Sequence, residues 1–439
     1  MLDEIRQAAA RQRSQRATRR LALDCRRLLS GDGEMGGMAL ASGVIGRLED
    51  LADAPPEALD GLFDFLAGEL SPDPANVLRC AQAYAQAPTP ASLLALTAAA
   101  EPPRQELFRR LNRMPGGTAA LLGLRRGLLK RLRQRPELQV IEADLLHLLS
   151  SWFNPGFLQM RRVDWNSPAQ LLEKIIHHEA VHAIDGWDDL RRRLQPDRRC
   201  FAFFHPQLPS EPLIFVEVAL LPELPAAISP LIDKASTPGS ADQARAAAFY
   251  SISNCEPGLR GVSLGNFLIK TVAQQLQREL PRLRTFGTLS PIPGFAHWLL
   301  AEPDLAALPG GLKKAAVAEL QTARERLRKL CGGELDALRA PAIHNAMSAD
   351  DEAALQILCS AYLLCVSPTP AGDAVARFHL DNGARLERLN LRGNMSAAGL
   401  RQSFGMMVNY LYDLDKVEAS HARFRQGEVV RSRAIGNPF

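Results

Sequence analysis

The sequence predicts an α+β fold, with an all-helical N-terminal domain over residues 1–151 and an α/β domain over 152–439 that carries a helical insertion. Three observations predict it. Residues 1–151 are dominated by Ala, Leu and Arg, with apolar residues at helical spacing and almost no strand pattern. Apolar, β-branched runs then begin after Trp152-Phe153-Asn154-Pro155-Gly156. Finally, residues 248–300 read as strand, glycine loop, helix and strand. At 439 residues the chain is too long for a single core.

Helical spacing is clearest at 21–29, 58–70, 91–100 and 138–149, with breaks at 31–37, 54–56, 71–74 and 101–103. Pro56, Pro74 and Pro90 fall at helix starts, where a missing N–H costs nothing. The opening helix is Arg-rich. Asp3, Glu4 and Asp24 argue against a mitochondrial presequence, and 44 of the 52 basic residues in the whole chain are arginine, so a solvated first helix is the preferred reading. Packing or oligomerisation is the expected role of this domain.

In the second domain, 157–165 alternates loosely as a strand, and Ser167-Pro168 opens a helix expected to run through 184. Residues 200–205 and 213–220 read as a β-hairpin, and 226–234 as a short helix. Helices follow at 312–330 and 350–364, and strands at 384–391 and 406–411 flank a helix at 396–403. The tail from Glu418 is polar and expected to be mobile.

The net charge of +4 is modest, which excludes the basic stripe of a nucleic-acid binder. No apolar run approaches the length of a membrane span. Seven cysteines, scattered without a C-x-x-C pair, disfavour a disulfide framework and a thiolate metal site, and favour a reducing, cytoplasmic setting.

His178-Glu179-Ala180-Val181-His182 matches H-E-x-x-H, which on a helix puts two His on one face for Zn²⁺ with the Glu as base. A catalytic zinc also needs a third ligand. The downstream candidates His205, Glu211 and Glu217 lie on the expected hairpin, so a polar surface or interface helix is preferred and no metal is assigned.

Arg260-Gly261-Val262-Ser263-Leu264-Gly265-Asn266 lies between a strand and a helix. Its glycines allow close backbone approach, and the N–H groups of a helix start favour an anion. Ser290 ends the neighbouring strand in a proline-rich corner. A pyrophosphate grip beside a reactive hydroxyl suggests a CoA or nucleotide enzyme.

The loop resembles the R/Q-x-x-G-x-G/A pattern of the GNAT acyl-CoA-binding fold, in which a bulged strand splays from its neighbour. Longer words, Thr288-Leu-Ser290-Pro-Ile-Pro-Gly-Phe295, Ala376-Arg-Phe-His379-Leu-Asp-Asn-Gly-Ala384, Phe249-Tyr-Ser-Ile-Ser253, Arg199-Cys-Phe-Ala-Phe203 and Glu179-Ala-Val-His182, resemble the malonyl-CoA decarboxylase family over residues 161–414. The resemblance implies a GNAT-like catalytic domain that splits malonyl-CoA into acetyl-CoA and CO₂ without a cofactor. It implies Ser290 and His379 as the catalytic pair and residues 260–266 as the CoA phosphate loop. Animal members carry an acidic residue at the position of Ser263, so any role of that carboxylate in orienting the histidine is either missing here or taken by another group. A homo-oligomer such as a tetramer is also implied. The ending Asn437-Pro438-Phe439 is not a peroxisomal tripeptide, which suggests a bacterial cytoplasmic member.

The chemistry fits these groups. Loss of CO₂ from a β-carboxyl thioester leaves an enolate, which needs stabilised negative charge and a proton on carbon. A histidine with an ordinary pKa near ~6.5 supplies that proton near neutrality. Rival readings are a GNAT-type N-acyltransferase, which needs an amine acceptor, a non-catalytic CoA-binding protein, and a zinc hydrolase. A Ser–His hydrolase dyad is disfavoured because Ser290 lacks the G-x-S-x-G elbow.

Overall fold

The computed structural model describes residues 2–31, 34–52, 57–262, 265–369 and 372–435. The chain divides into two compact units. The first comprises residues 1–159 with two later excursions, 204–213 and 255–263, and the second holds the remainder.

The first unit is helical: α1 (Leu2–Ser30), α2 (Glu34–Ala52), α3 (Glu57–Gly68), α4 (Pro74–Gln86), α5 (Pro90–Ala100), α6 (Pro103–Asn112), α7 (Gly117–Leu129) and α8 (Gln139–Trp152). The break expected at 54–56 lies outside the described residues. Local chemistry sets the starts. Asp73 caps α4 by accepting from Ala75 N, and Thr89 and Ser92 form a capping box on α5, each with Pro in the first turn. Leu21, Val44, Phe63, Phe108, Leu121 and Leu145 form its buried core. Helices α4 and α5 are an exception, because neither buries a residue, and Leu78, Leu93 and Leu94 are exposed.

The second unit is built on a mixed sheet of eight strands: β1 (Gln159–Val163), β2 (Arg198–His205), β3 (Leu208–Leu221), β4 (Ala246–Asn254), β5 (Thr285–Thr288), β6 (Ser290–Pro291), β7 (Arg385–Asn390) and β8 (Met407–Leu411). Their order is β1-β2-β3-β4-β5-β8-β6, with β7 also on β8. β2 is buried at every position, as in a strand covered on both faces. The helix Gly265–Glu279 crosses from β4 to its parallel neighbour β5. The insertion separates β6 from β7. It includes the helices Lys314–Leu330 and Ala349–Ala361, the latter running into a π-helical turn at Tyr362–Val366.

Two expectations fail. The helix expected to run through 184 stops at His178. The tail is ordered rather than free: Val417–Arg425 is helical, and beyond it Leu386 N donates to Val430 O while Ser432 N donates to Leu386 O. Burial of Val417, Val429 and Ile435 fixes a segment whose polar composition concealed those apolar anchors.

Candidate active site

The sheet opens at one place, and the sequence of β4 opens it. Against β3, Glu217 faces Ser251 and Val218 faces Phe249, so Tyr250 is an extra, unpaired residue. Such a bulge bends its strand. On the other side, the parallel ladder with β5 ends at Phe249 opposite Thr288, with a last bond from Leu289 N to Phe249 O. Beyond it, β4 leaves β5, and a cavity of about 270 Å³ occupies the opening. This is the splayed strand that the GNAT resemblance led us to expect. Ser251 and Asn254 line one wall, and Ser290, Phe378 and His379 line the other.

Ser290 and His379 are 89 positions apart in sequence, and the fold brings them together, with Ser290 Oγ 3.0 Å from His379 Nε2. Both are buried. Ser290 is held by pairing with Val408 on β8. His379 lies on the helix Ala374–Asp381. Its ring stacks on Tyr410, with centroids 4.6 Å apart, and its Nδ1 lies 2.8 Å from the Tyr412 hydroxyl. Ser290 Oγ donates to Thr288 Oγ1 at 2.9 Å, and Thr288 Oγ1 also accepts from Tyr410 N. With that polarity, the ring donates from Nε2 to Ser290 and accepts at Nδ1 from Tyr412. Each side chain in this row can both donate and accept, so the row can reverse.

Burial pushes the His379 pKa down to about 3. The resting ring is therefore neutral, contrary to the expectation of an ordinary histidine, because no carboxylate accompanies it into the interior. Thr288, Tyr410 and Tyr412 were not singled out from the sequence. The alternation of Tyr410, on β8, and Tyr412, just past its end, is the signal that could have found two of them.

The H-E-x-x-H segment does something else. The helix ends at His178, so His178 and His182 do not share a helical face. Glu179 Oε1 accepts from Val181 N (2.8 Å), His182 N (2.7 Å) and Ser251 Oγ (2.8 Å). Its Oε2 accepts from Ser251 Oγ (2.7 Å) and Ser253 Oγ (3.2 Å). The carboxylate thus holds the stretch of β4 that has left β5. His182 is buried and bonded to the Tyr250 carbonyl; burial and Arg193 push its pKa down to about 4. Arg193 bonds Glu217, Asp189 and the His182 carbonyl. Burial pushes Glu217 up to about 7 against the pull of Arg193. The motif serves the bulge.

In the glycine loop, Arg260, Gly261 and Val262 belong to the first unit, while the helix that starts at Gly265 and Asn266 belongs to the second. Ser263 and Leu264 lie outside the described residues. Gly261 has φ +83°, a conformation that favours glycine. The approach to the loop is pinned by Arg125 of α7, fully buried, which bonds Glu142 and donates to Gly258 O (2.6 Å) and Arg260 O (2.7 Å).

Residues 156–438 match the family described as malonyl-CoA decarboxylase C-terminal domain, and residues 70–153 match its N-terminal domain. Among curated proteins, the mitochondrial malonyl-CoA decarboxylase of Anser anser anser is 37% identical over 344 residues, covering 74% of this chain and 66% of that protein. The Rattus norvegicus protein of the same name is 36% identical, covering 71% and 65%. The chain thus spans slightly under two thirds of the length of these relatives. Crystal structures of malonyl-CoA decarboxylase from Rhodopseudomonas palustris (44% identity, TM-score 0.82, 95% of this chain and 98% of that one) and from Agrobacterium vitis (42%, 0.78, 94% and 98%) superpose over nearly the whole chain.

Proposed function

The chain belongs to the malonyl-CoA decarboxylase family, and on that premise we propose that it is a carboxy-lyase that converts malonyl-CoA to acetyl-CoA and CO₂ with Ser290 and His379 as its catalytic pair. The observation that carries the reading is the hydrogen-bonded row Tyr412–His379–Ser290 on one wall of the cavity at the splayed end of β4.

The bond between the carboxylate and the α-carbon breaks, and its electron pair passes into the thioester to give an enolate. CO₂ leaves, and a proton is added to the α-carbon, so each turnover consumes one proton. No Lys or Arg is among the described residues that line the cavity, and Val181, Phe249, Ile252 and Phe378 make much of its wall apolar. Such surroundings disfavour a carboxylate relative to neutral CO₂. The enolate then meets Ser290. Ser290 gives its proton to carbon and takes one from His379 Nε2, Tyr412 passes its own to Nδ1 as the row reverses, and the proton consumed is returned to Tyr412 from water. The negative charge that develops beside the buried ring favours its protonated form during the reaction. Residues 260–266 hold the CoA phosphates, a role supported by the left-handed Gly261, the helix start at Gly265 and the Arg125 brace.

The test is CO₂ and acetyl-CoA release from malonyl-CoA with no amine present. Turnover only when an amine acceptor is added would assign the cavity to acyl transfer instead. The same reading includes assembly of a homo-oligomer through α4 and α5. It is supported by the lack of any buried residue in either helix and by an α5 without a single charged residue. A Leu94→Glu change is expected to lower the mass found in sedimentation; an unchanged mass rejects this interface. Seven cysteines that form no disulfide among the described residues support a reducing cytoplasmic location.

A further inference from the structure

The 3.0 Å contact joins Ser290 and His379 across 89 positions of sequence, and neither residue shares an element with the other. Something must hold the two elements in step. Asp373 touches both. It is buried, and it caps the helix that carries His379: its Oδ1 accepts from Val375 N and Ala376 N, each at 3.0 Å. Its other oxygen points away from that helix. Oδ2 accepts from Gly294 N at 2.9 Å, in the turn four residues after Ser290, with the Tyr362 hydroxyl at 3.5 Å.

The surroundings are shaped to this contact. A Cβ on Gly294 would stand 2.1 Å from the Tyr362 oxygen and 3.4 Å from Asp373 Oδ2, so only glycine lets the turn come this close. Tyr362 opens the π-helical turn, a deviation from α geometry that re-aims side chains. Its ring packs on Phe295 and Trp298, the residues that follow the same turn.

We propose that Asp373 is a positioning residue whose carboxylate ties the turn after Ser290 to the first turn of the His379 helix, and so sets the distance over which the two side chains exchange a proton. The proposal rests on the reading that Ser290 and His379 perform the chemistry. One carboxylate oxygen serves each element, so no residue with a single acceptor can do both jobs. A displacement of about 1 Å between reacting groups is enough to cost about 10²-fold.

The test uses the full chain with two replacements. Asp373→Asn keeps the shape and one acceptor but presents an NH₂ group to a second N–H donor. Asp373→Ser keeps a helix cap and is too short to reach Gly294. Both are expected to lower kcat by about 10- to 100-fold while KM for malonyl-CoA and the Kd of CoA stay within about twofold. Asp373→Glu, with two acceptors restored, is expected to recover part of the loss. Wild-type kcat in either folded variant overturns the proposal. So does a fall in kcat matched by loss of CoA binding, or failure of both variants to fold, because each assigns Asp373 to general stability. Ser290→Ala and His379→Ala run alongside: if they retain full activity, the reading of the site fails; if they are inactive while Asp373→Asn is fully active, only the tether fails.

Discussion

Two serines face the same cavity from opposite walls, and they are held in different ways. Ser251, on the β4 side, gives its hydroxyl to both oxygens of Glu179, a carboxylate that also accepts from two backbone N–H groups and from Ser253. Ser290 stands in a row with Thr288, His379 and Tyr412, each of which can give or take a proton. The first arrangement pins a hydroxyl. The second can pass a proton on and be reset. What sets the two walls apart is the partner behind each serine and whether that partner can exchange roles.

The largest effect should fall on the reversible wall. His379→Ala and Ser290→Ala are each expected to cut the rate of CO₂ release by about 10² or more, with CoA binding retained in titration calorimetry. If Ser251→Ala loses as much as Ser290→Ala, the contrast between the walls collapses. Tyr412→Phe removes the partner of Nδ1 and leaves Ser290–His379 in place. A loss in kcat of about tenfold is expected from stopped-flow measurements, and no loss would end the row at His379.

The pinned wall should answer in stability. Glu179→Ala leaves the Ser251 hydroxyl and two N–H groups without the acceptor they share, at a cost of about 3 kcal/mol in denaturant unfolding. A change below about 0.5 kcal/mol would show that water replaces the carboxylate at no cost. Ser251→Ala itself should reduce kcat by less than about tenfold, since it removes a hydroxyl that only lines the site.

The smallest effect concerns pH. Burial lowers the His379 pKa to about 3 and the His182 pKa to about 4, below the ordinary value for an unfolded chain. Between those values and about pH 6.5 the unfolded chain binds more protons than the folded one. The contribution of these two histidines is therefore complete above about pH 6.5 and is lost as the pH falls toward 3. Above that window, from pH 8 to 6.5, kcat/KM should stay flat, because the free enzyme's His379 does not titrate there. An ionisation near 6.5 in that profile, removed by His379→Gln, would contradict the buried neutral ring.

Much of this was legible in residue order, and the limits are physical. Elements announced themselves through period and punctuation: the hairpin of β2 and β3, the crossover helix at Gly265, the strands β7 and β8. Ser290 and His379 were found through words, because no spacing rule links residues 89 positions apart. Glu179 misled because H-E-x-x-H implies a helix only if its N–H groups bond along the helix, and here those of Val181 and His182 turn to the Glu179 side chain instead. The low pKa of His379 was invisible because burial depends on what the fold places around a ring. Asp373 was not legible because its sequence position marks at most a helix cap, and the bond from Gly294 N to its second oxygen exists only in the fold.

The unpaired Tyr250 has a consequence for how such a cavity could be made or erased. Side chains along a strand alternate faces, so one surplus residue exchanges the faces of everything beyond it. Ahead of Tyr250, β4 keeps register with β5; after it, Ser251 and Ser253 turn toward Glu179. Deleting that single codon would remove the surplus residue opposite β3 and exchange those faces again, turning Ser251 and Ser253 away from Glu179. One residue of mismatch between β3 and β4 thus sets which side chains of β4 border the recess.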